Sequence, residues 1–201
     1  MTTYLFFDTE TTGLIDFKKE LSDPSQPRIT QLAAILTDED GNELDRMCEY
    51  VKPDGWTVPE FITELNGTTT EMLEEKGKPM QELLARFNQM KDRCTHRVAH
   101  NVSFDKQMLA REAFAYGLPH DSTGKESLCT MKMAKGIVQL PASQKMNEAG
   151  VRGSKPPKLQ EAYTYFFGVP FEGSHDAMAD VIACKKVFFA IKKWQAEAAA
   201  A

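Results

Sequence analysis

The chain has 201 residues, 42% hydrophobic and 26% charged, which suits one globular domain with a sizeable core and excludes a disordered chain. Its formal net charge of −5 and pI of about 5.5 argue against a broad basic surface that would hold nucleic acid non-specifically. No apolar run is long enough to span a bilayer, no basic n-region precedes an apolar segment, and Cys48, Cys94, Cys129 and Cys184 are scattered without a Cys-x-x-Cys pair. These features predict a cytoplasmic protein with reduced thiols, no membrane partner, no zinc finger and no disulfide framework.

Residues 3–10 form the first expected strand. Leu5-Phe6-Phe7 is an apolar run that passes into Asp8-Thr9-Glu10-Thr11-Thr12-Gly13-Leu14. Side chains two apart on a strand share a face, so Asp8 and Glu10 point to one side. Like charges at the rim of an apolar sheet repel unless neutralised. A divalent cation that favours hard oxygen ligands, magnesium or manganese, would neutralise them. Residues 15–27, with Pro24 and Pro27, read as a long polar surface loop. A second strand is expected over 28–37; Leu32 to Leu36 is apolar on both faces, which places it centrally. Asp40-Gly41 marks a hairpin turn, and the more polar third strand over 43–51 belongs nearer an edge.

Beyond Pro53 the texture changes. Helices are expected over 58–65 and 79–90, with Pro59 and Pro79 near their starts. In the second, Met80, Leu83, Leu84, Phe87 and Met90 make an apolar stripe at helical spacing. Val98-Ala99 fits a short buried strand. A helix over 102–116 ends at Gly117 and Pro119. Residues 127–137 hold a short strand running into a helix, 139–157 a loop, and 158–167 a helix stopped by Gly168 and Pro170. The last helix spans about 176–194. A single domain over 1–195 is therefore expected, with a tail at 196–201 that has little to pack and should fray. Phe6, Phe7, Phe166, Phe167, Phe188 and Phe189 read as core. Antiparallel strands followed by strands alternating with helices predict an α/β fold, a mixed sheet with helices on both sides.

Two further acids stand out by context. With Asn101 as N-cap, Asp105 falls in the first turn of its helix, near the positive end of the dipole. Asp180 starts the last helix, beside an apolar face that includes Val181, Ile182, Val187 and Phe188. His175 lies five residues earlier, a rotation of about 140° if both were helical, so the two would diverge. A cap at Ser174 or Asp176 instead leaves His175 ahead of the helix, with Gly173 loosening its approach. An imidazole on such a hinge can swing toward a metal site, and its ordinary pKa near ~6.5 suits taking a proton from water.

Asp8-Thr9-Glu10, Asn101 to Asp105 (Asn-x-x-Phe-Asp) and His175 to Asp180 (His-x-x-x-x-Asp) resemble, in order, the three motifs of the DEDDh 3′→5′ exonucleases. That family includes the proofreading subunit of bacterial replicative polymerases and ribonuclease T. The flanking Thr11-Thr12-Gly13-Leu14 and Phe171-Glu172-Gly173-Ser174 agree as well, and the resemblance runs from Tyr4 to about Phe189. It implies a ribonuclease H-like fold with a five-stranded mixed sheet and helices on both faces. It implies two magnesium or manganese ions held by Asp8, Glu10, Asp105 and Asp180, with His175 deprotonating the attacking water and a nucleoside 5′-monophosphate as product.

The same resemblance places the substrate end at backbone groups of Thr11 and Thr12, at Leu14 as an apolar wedge between the last bases, and at His100, Asn101 and Phe104. The expected substrate is the 3′ end of single-stranded or frayed DNA. The alternatives are RNA 3′-end trimming and a non-catalytic polymerase accessory or binding module. A DNA polymerase is a candidate partner, although the chain stops soon after the last helix, which favours a stand-alone enzyme. Lys145, Arg152, Lys155 and Lys158, set against Glu148, are expected to meet phosphates of the incoming strand.

Overall fold

The Leu5-Phe6-Phe7 run becomes the middle strand of a five-stranded sheet. The structure is a computed structural model and describes residues 1–119 and 125–200. The strands β1 (Tyr4–Thr11), β2 (Ile29–Thr37), β3 (Glu43–Tyr50), β4 (His96–Ala99) and β5 (Glu126–Cys129) lie in the order β3-β2-β1-β4-β5. β1 pairs antiparallel with β2 and β2 with β3, whereas β4 runs parallel to β1 and β5 parallel to β4. The mixed sheet is the expected one, and polar β3 takes an edge.

Leu5, Phe6 and Phe7 are all fully buried because helices cover both faces of β1. Leu5 and Phe7 face α3 (Met80–Asp92) and α4 (Val102–Ala115), where Phe7 meets Phe87 edge-on at 5.4 Å between ring centroids. Tyr4 and Phe6 face α8 (Ala177–Ala200), where Phe6 meets Phe188 at 5.4 Å. Burying each of these phenyl groups is worth about 1.5–3 kcal/mol. A further layer, α5 (Thr130–Val138) and α7 (Leu159–Phe167), packs against α8 through Ala134, Ala162, Ala183 and Val187. Small residues there let the helices approach closely.

Several local features depart from the sequence expectation. The first helical segment after β3, α1 (Glu60–Asn66), is followed by α2 (Thr70–Lys76), which was not expected. The Thr69 hydroxyl caps α2 by accepting from the Met72 N–H at 3.1 Å, and Leu73 is its buried residue, too few to print a stripe in the sequence. The 139–157 stretch contains α6 (Gln144–Glu148), capped by Ser143 and without a buried residue, so it left no periodic signal either. α8 continues through residues 196–200, which are helical and exposed; Ala201 lies outside the described residues. Alanine and glutamate propagate a helix well even without packing. Phe167 is 42% exposed rather than core, its ring tilted against Tyr163 with centroids 4.5 Å apart.

The parallel arrangement fixes where chemistry can occur. β1, β4 and β5 all end at the same edge, and α4 follows β4 directly. Strand ends and a helix N-terminus therefore meet there, where open α/β sheets gather functional groups.

Candidate active site

Asp8 and Glu10 continue the Tyr4-Phe6 alternation, so both emerge on the α8 face of β1. The β1–β2 register slips between Glu10 and Thr11, which turns the strand end out of the sheet. Asp105 sits in the first turn of α4, only 2% exposed. Its Oδ1 accepts from the Thr9 N–H at 3.1 Å and the Thr9 hydroxyl at 2.9 Å, which fixes it beside β1. Asp180 lies in the first turn of α8, and its Oδ2 accepts from the His175 backbone N–H at 3.2 Å.

His175 stands ahead of α8 with φ 72°, in the left-handed region, as the hinge reading expects. Asp176, of the two candidate caps, is the one that caps: its Oδ1 accepts from the Ala179 N–H at 3.0 Å. Gly173, φ 78°, admits the turn; a Cβ there would lie 3.2 Å from the Ala179 Cβ. The chain therefore brings one ligand atom each of Glu10, His175 and Asp180 within 4.8 Å of one another.

The carboxyls are electrostatically one group. Burial raises the pKa of Asp8 well above the ordinary carboxylate value, and Asp105, Asp180 and Glu10 raise it further. Burial, then the charge of Asp180, pushes Glu10 up to about 7; the Asn66 side chain opposes this with a hydrogen bond. Burial pushes Asp105 up to about 7 against the two bonds from Thr9. Burial pushes Asp180 up to about 6 against the His175 N–H. Such a cluster cannot ionise fully without counter-charge. Hard carboxylate oxygens converging at a desolvated strand end, with an imidazole alongside, are a donor set that fits magnesium or manganese.

The residues expected at the substrate end fall into two groups. Leu14 is 88% exposed, and Phe61 of α1 comes to the same turn, its Cζ 4.0 Å from where a Cβ on Gly13 would sit. Phe104 is half-buried against the core formed with α3 and α4. Thr11 and Thr12 build the turn itself. The Thr11 hydroxyl donates to the Gly13 carbonyl at 2.7 Å, and the Thr12 hydroxyl accepts from the Arg28 N–H at 2.8 Å. The Thr12 N–H is bonded to the Arg28 carbonyl at 2.9 Å.

His100 is held by protein on both ring nitrogens. Nε2 lies 2.9 Å from the Pro157 carbonyl, which can only accept, so Nε2 carries the proton and Nδ1 accepts from the Thr130 hydroxyl at 2.9 Å. Burial lowers its pKa, consistent with this neutral form. Asn101 occupies the N-cap position of α4 in the left-handed region, φ 73°, but makes no capping bond; its Oδ1 accepts from Ser103 Oγ at 3.2 Å. The basic loop is less basic than its own charges imply, because Glu161 of α7 pairs with the Lys155 ammonium and accepts from the Lys158 N–H.

Three contributors were not identified as site residues from the sequence. Asn66 ends α1, and nothing in its context distinguishes it from an ordinary helix terminus. Thr9 alternates to the opposite face of the strand from Asp8 and Glu10, and its bonds to Asp105 depend on a segment 96 residues away. Gln31 is a polar side chain, 5% exposed, inside a strand whose neighbours are apolar, and that oddity was the available signal.

Carboxylates and a hinged imidazole thus gather at the carboxyl end of the central strand of a ribonuclease H-like sheet. The chain belongs to the exonuclease family RNase_T, whose model matches residues 5–188. The DNA polymerase III PolC-type protein of Streptococcus pneumoniae (strain D39) is 30% identical over 196 residues, 97% of this chain and 11% of that protein. Its counterpart in Lactococcus lactis is 35% identical over 117 residues, 58% of this chain and 6% of that protein. Among solved structures, E. coli exonuclease I in complex with a dA16 oligonucleotide superposes with a TM-score of 0.74 at 22% identity, over 98% of this chain and 42% of that one. The zinc-ion-bound form of its single-stranded DNA complex gives 0.73 at 21%, with the same coverage. The chain thus spans about a tenth or less of these polymerases and under half of exonuclease I.

Proposed function

We propose that this chain hydrolyses single-stranded or frayed DNA from the 3′ end and releases nucleoside 5′-monophosphates. The observation that carries the reading is the convergence of Glu10, His175 and Asp180 within 4.8 Å. The oligonucleotides held by E. coli exonuclease I support DNA as the substrate, and the likeness to PolC-type polymerases supports action beside a DNA polymerase.

Asp8, Glu10, Asp105 and Asp180 would hold two magnesium or manganese ions. Bound there, such ions supply Lewis acidity at phosphoryl oxygens and a more acidic water. His175 takes the proton of the water that attacks phosphorus and later passes it to solvent, the bond from phosphorus to the 3′-oxygen breaks, and that oxygen takes a proton from solvent as it leaves. The hinge lets the imidazole approach without forcing α8 to move. Leu14 and Phe61 offer apolar surface to the terminal bases, and stacking of this kind does not read base identity. With its N–H bonded to Arg28, Thr12 offers the strand end its carbonyl.

Matched DNA and RNA oligonucleotides labelled at the 3′ end test the reading. Mononucleotide release from DNA is expected with magnesium, and its loss with chelator and in Asp8→Ala. Activity surviving either treatment removes the proposed metal site, and faster cleavage of RNA replaces DNA with RNA 3′ ends as the substrate.

A further inference from the structure

Gln31 makes contacts that the chemistry above does not use. It lies on β2 directly opposite Glu10 in the β1–β2 ladder and is almost fully buried. Its Oε1 accepts from the Ala177 N–H at 3.1 Å, and its Nε2 donates to Asp176 Oδ2 at 3.0 Å. The second proton of Nε2 faces Cys48 Sγ at 3.5 Å. The amide is therefore fully paired, and two of its three contacts grip the first turn of α8. The other oxygen of Asp176 is the cap of that same turn, and the Asp176 N–H donates to the Gly173 carbonyl at 3.0 Å.

We propose that Gln31 is a positioning residue for the reaction, a clamp that sets the His175 arm by tying residues 176 and 177 to the strand opposite Glu10. The reasoning is geometric. His175 lies one residue from the clamp, in a left-handed conformation that is unfavourable for a non-glycine residue and persists only where surroundings impose it. On its other side are Gly173 and exposed Ser174, which impose little. The clamp is the fixed end of the hinge. Without it, α8 remains packed through Ala177, Val181 and Phe188, but its first turn has no polar tie to the sheet at this point. Displacing a catalytic group by about 1 Å can cost roughly 100-fold in rate.

The inference depends on the exonuclease reading, and its test separates the two. Asp176→Asn leaves one side-chain oxygen for two donors, Ala179 N–H and Gln31 Nε2. Gln31→Leu removes both clamp contacts at similar volume. Gln31→Glu combined with Asp176→Asn restores both: the new carboxylate accepts from the Asn amide and from the Ala177 N–H, while the Asn oxygen keeps the cap. Steady-state cleavage of a single-stranded DNA oligonucleotide with magnesium at about pH 8 is expected to show kcat reduced at least about tenfold in each single variant. KM should stay within about threefold, and the double variant should recover to within about threefold of wild type.

Amide exchange across residues 174–180 should be accelerated in the single variants and protected again in the double. A double variant as slow as Asp176→Asn, or single variants that lose melting temperature but keep kcat, overturns the clamp. A wild type that cuts neither DNA nor RNA overturns the exonuclease reading instead, and exchange alone then decides whether Gln31 fixes the arm.

Discussion

Arg28 and Glu112, 84 residues apart in the chain, form a bidentate ion pair at the foot of the turn that follows β1. Arg28 Nε donates to Oε1 at 3.0 Å and Nη2 to Oε2 at 2.9 Å, and the carboxylate is fully buried. The Ile29 N–H also donates to Oε1 at 3.0 Å, and Arg28 Nη2 donates to the Tyr116 hydroxyl at 2.9 Å. The guanidinium sits between the rings of Trp56 and Tyr116, at 5.5 and 5.6 Å. Because Arg28 is also bonded twice to Thr12, the pair links α4 to the turn that carries Leu14.

Removing one partner of such a pair leaves the other buried and uncompensated. Glu112→Ala is expected to destabilise the fold by about 3–5 kcal/mol in urea denaturation. At a temperature where the variant is folded, KM for the oligonucleotide should rise more than kcat falls. A loss below about 1 kcal/mol would show that the pair contributes little to stability.

The acidic cluster makes the ion-free protein pH-sensitive in an unusual direction. Asp8, Glu10, Asp105 and Asp180 all have folded pKa values raised above the unfolded ones, which lie near ~4. The folded state therefore holds more protons, so this contribution is fully present below about pH 4 and is lost as pH rises through 6 to 7. Chelator-treated protein should melt lower at about pH 8 than at about pH 5.5, and magnesium should reverse the trend. An ion-free melting temperature that rises across this window would argue against a repelling cluster.

Leu14 and Phe61 are exposed, so replacing them should leave stability within about 0.5 kcal/mol. Leu14→Ser and Phe61→Ala are expected to raise KM several-fold while kcat at saturation changes little. Unchanged KM in both variants would remove the turn from the substrate path.

Gly173 takes a positive φ and faces Ala179 closely. Gly173→Ala should therefore disturb the loop before His175, lowering kcat with little effect on melting temperature because the position is exposed. Melting curves alongside turnover numbers distinguish this from general unfolding.

His175→Ala separates a base from a ligand. Turnover should fall by roughly 100-fold or more, while the magnesium concentration giving half-maximal activity changes little. An equal loss of both would make the imidazole a ligand of the cluster.

Much of this molecule was legible in the sequence because its signals are local. The apolar run of β1, the Asp-Gly hairpin, the Met80-to-Met90 stripe and the glycine–proline stops each reflect a neighbour-to-neighbour preference. The spacing of Asp8 and Glu10 fixes their shared face by strand geometry alone, and the order of the three motifs carries the resemblance to the exonuclease family. α2 and α6 went unread because each buries at most one residue, so hydrophobic period had nothing to report.

Tertiary structure decided everything that depends on which elements meet. Placing β4 parallel to β1 brings Thr9 to Asp105 across 96 residues, and packing α8 on the sheet brings Gln31 to Asp176 across 145. At the turn that carries Leu14, the pairing of Arg28 with Glu112 and the approach of Phe61 to Gly13 likewise join distant segments. The candidates for the chemistry were readable from the chain because side-chain type and local period are written residue by residue. Which groups hold those side chains in place was settled only by folding, because the partner of a buried polar group is chosen by packing, which brings distant segments together.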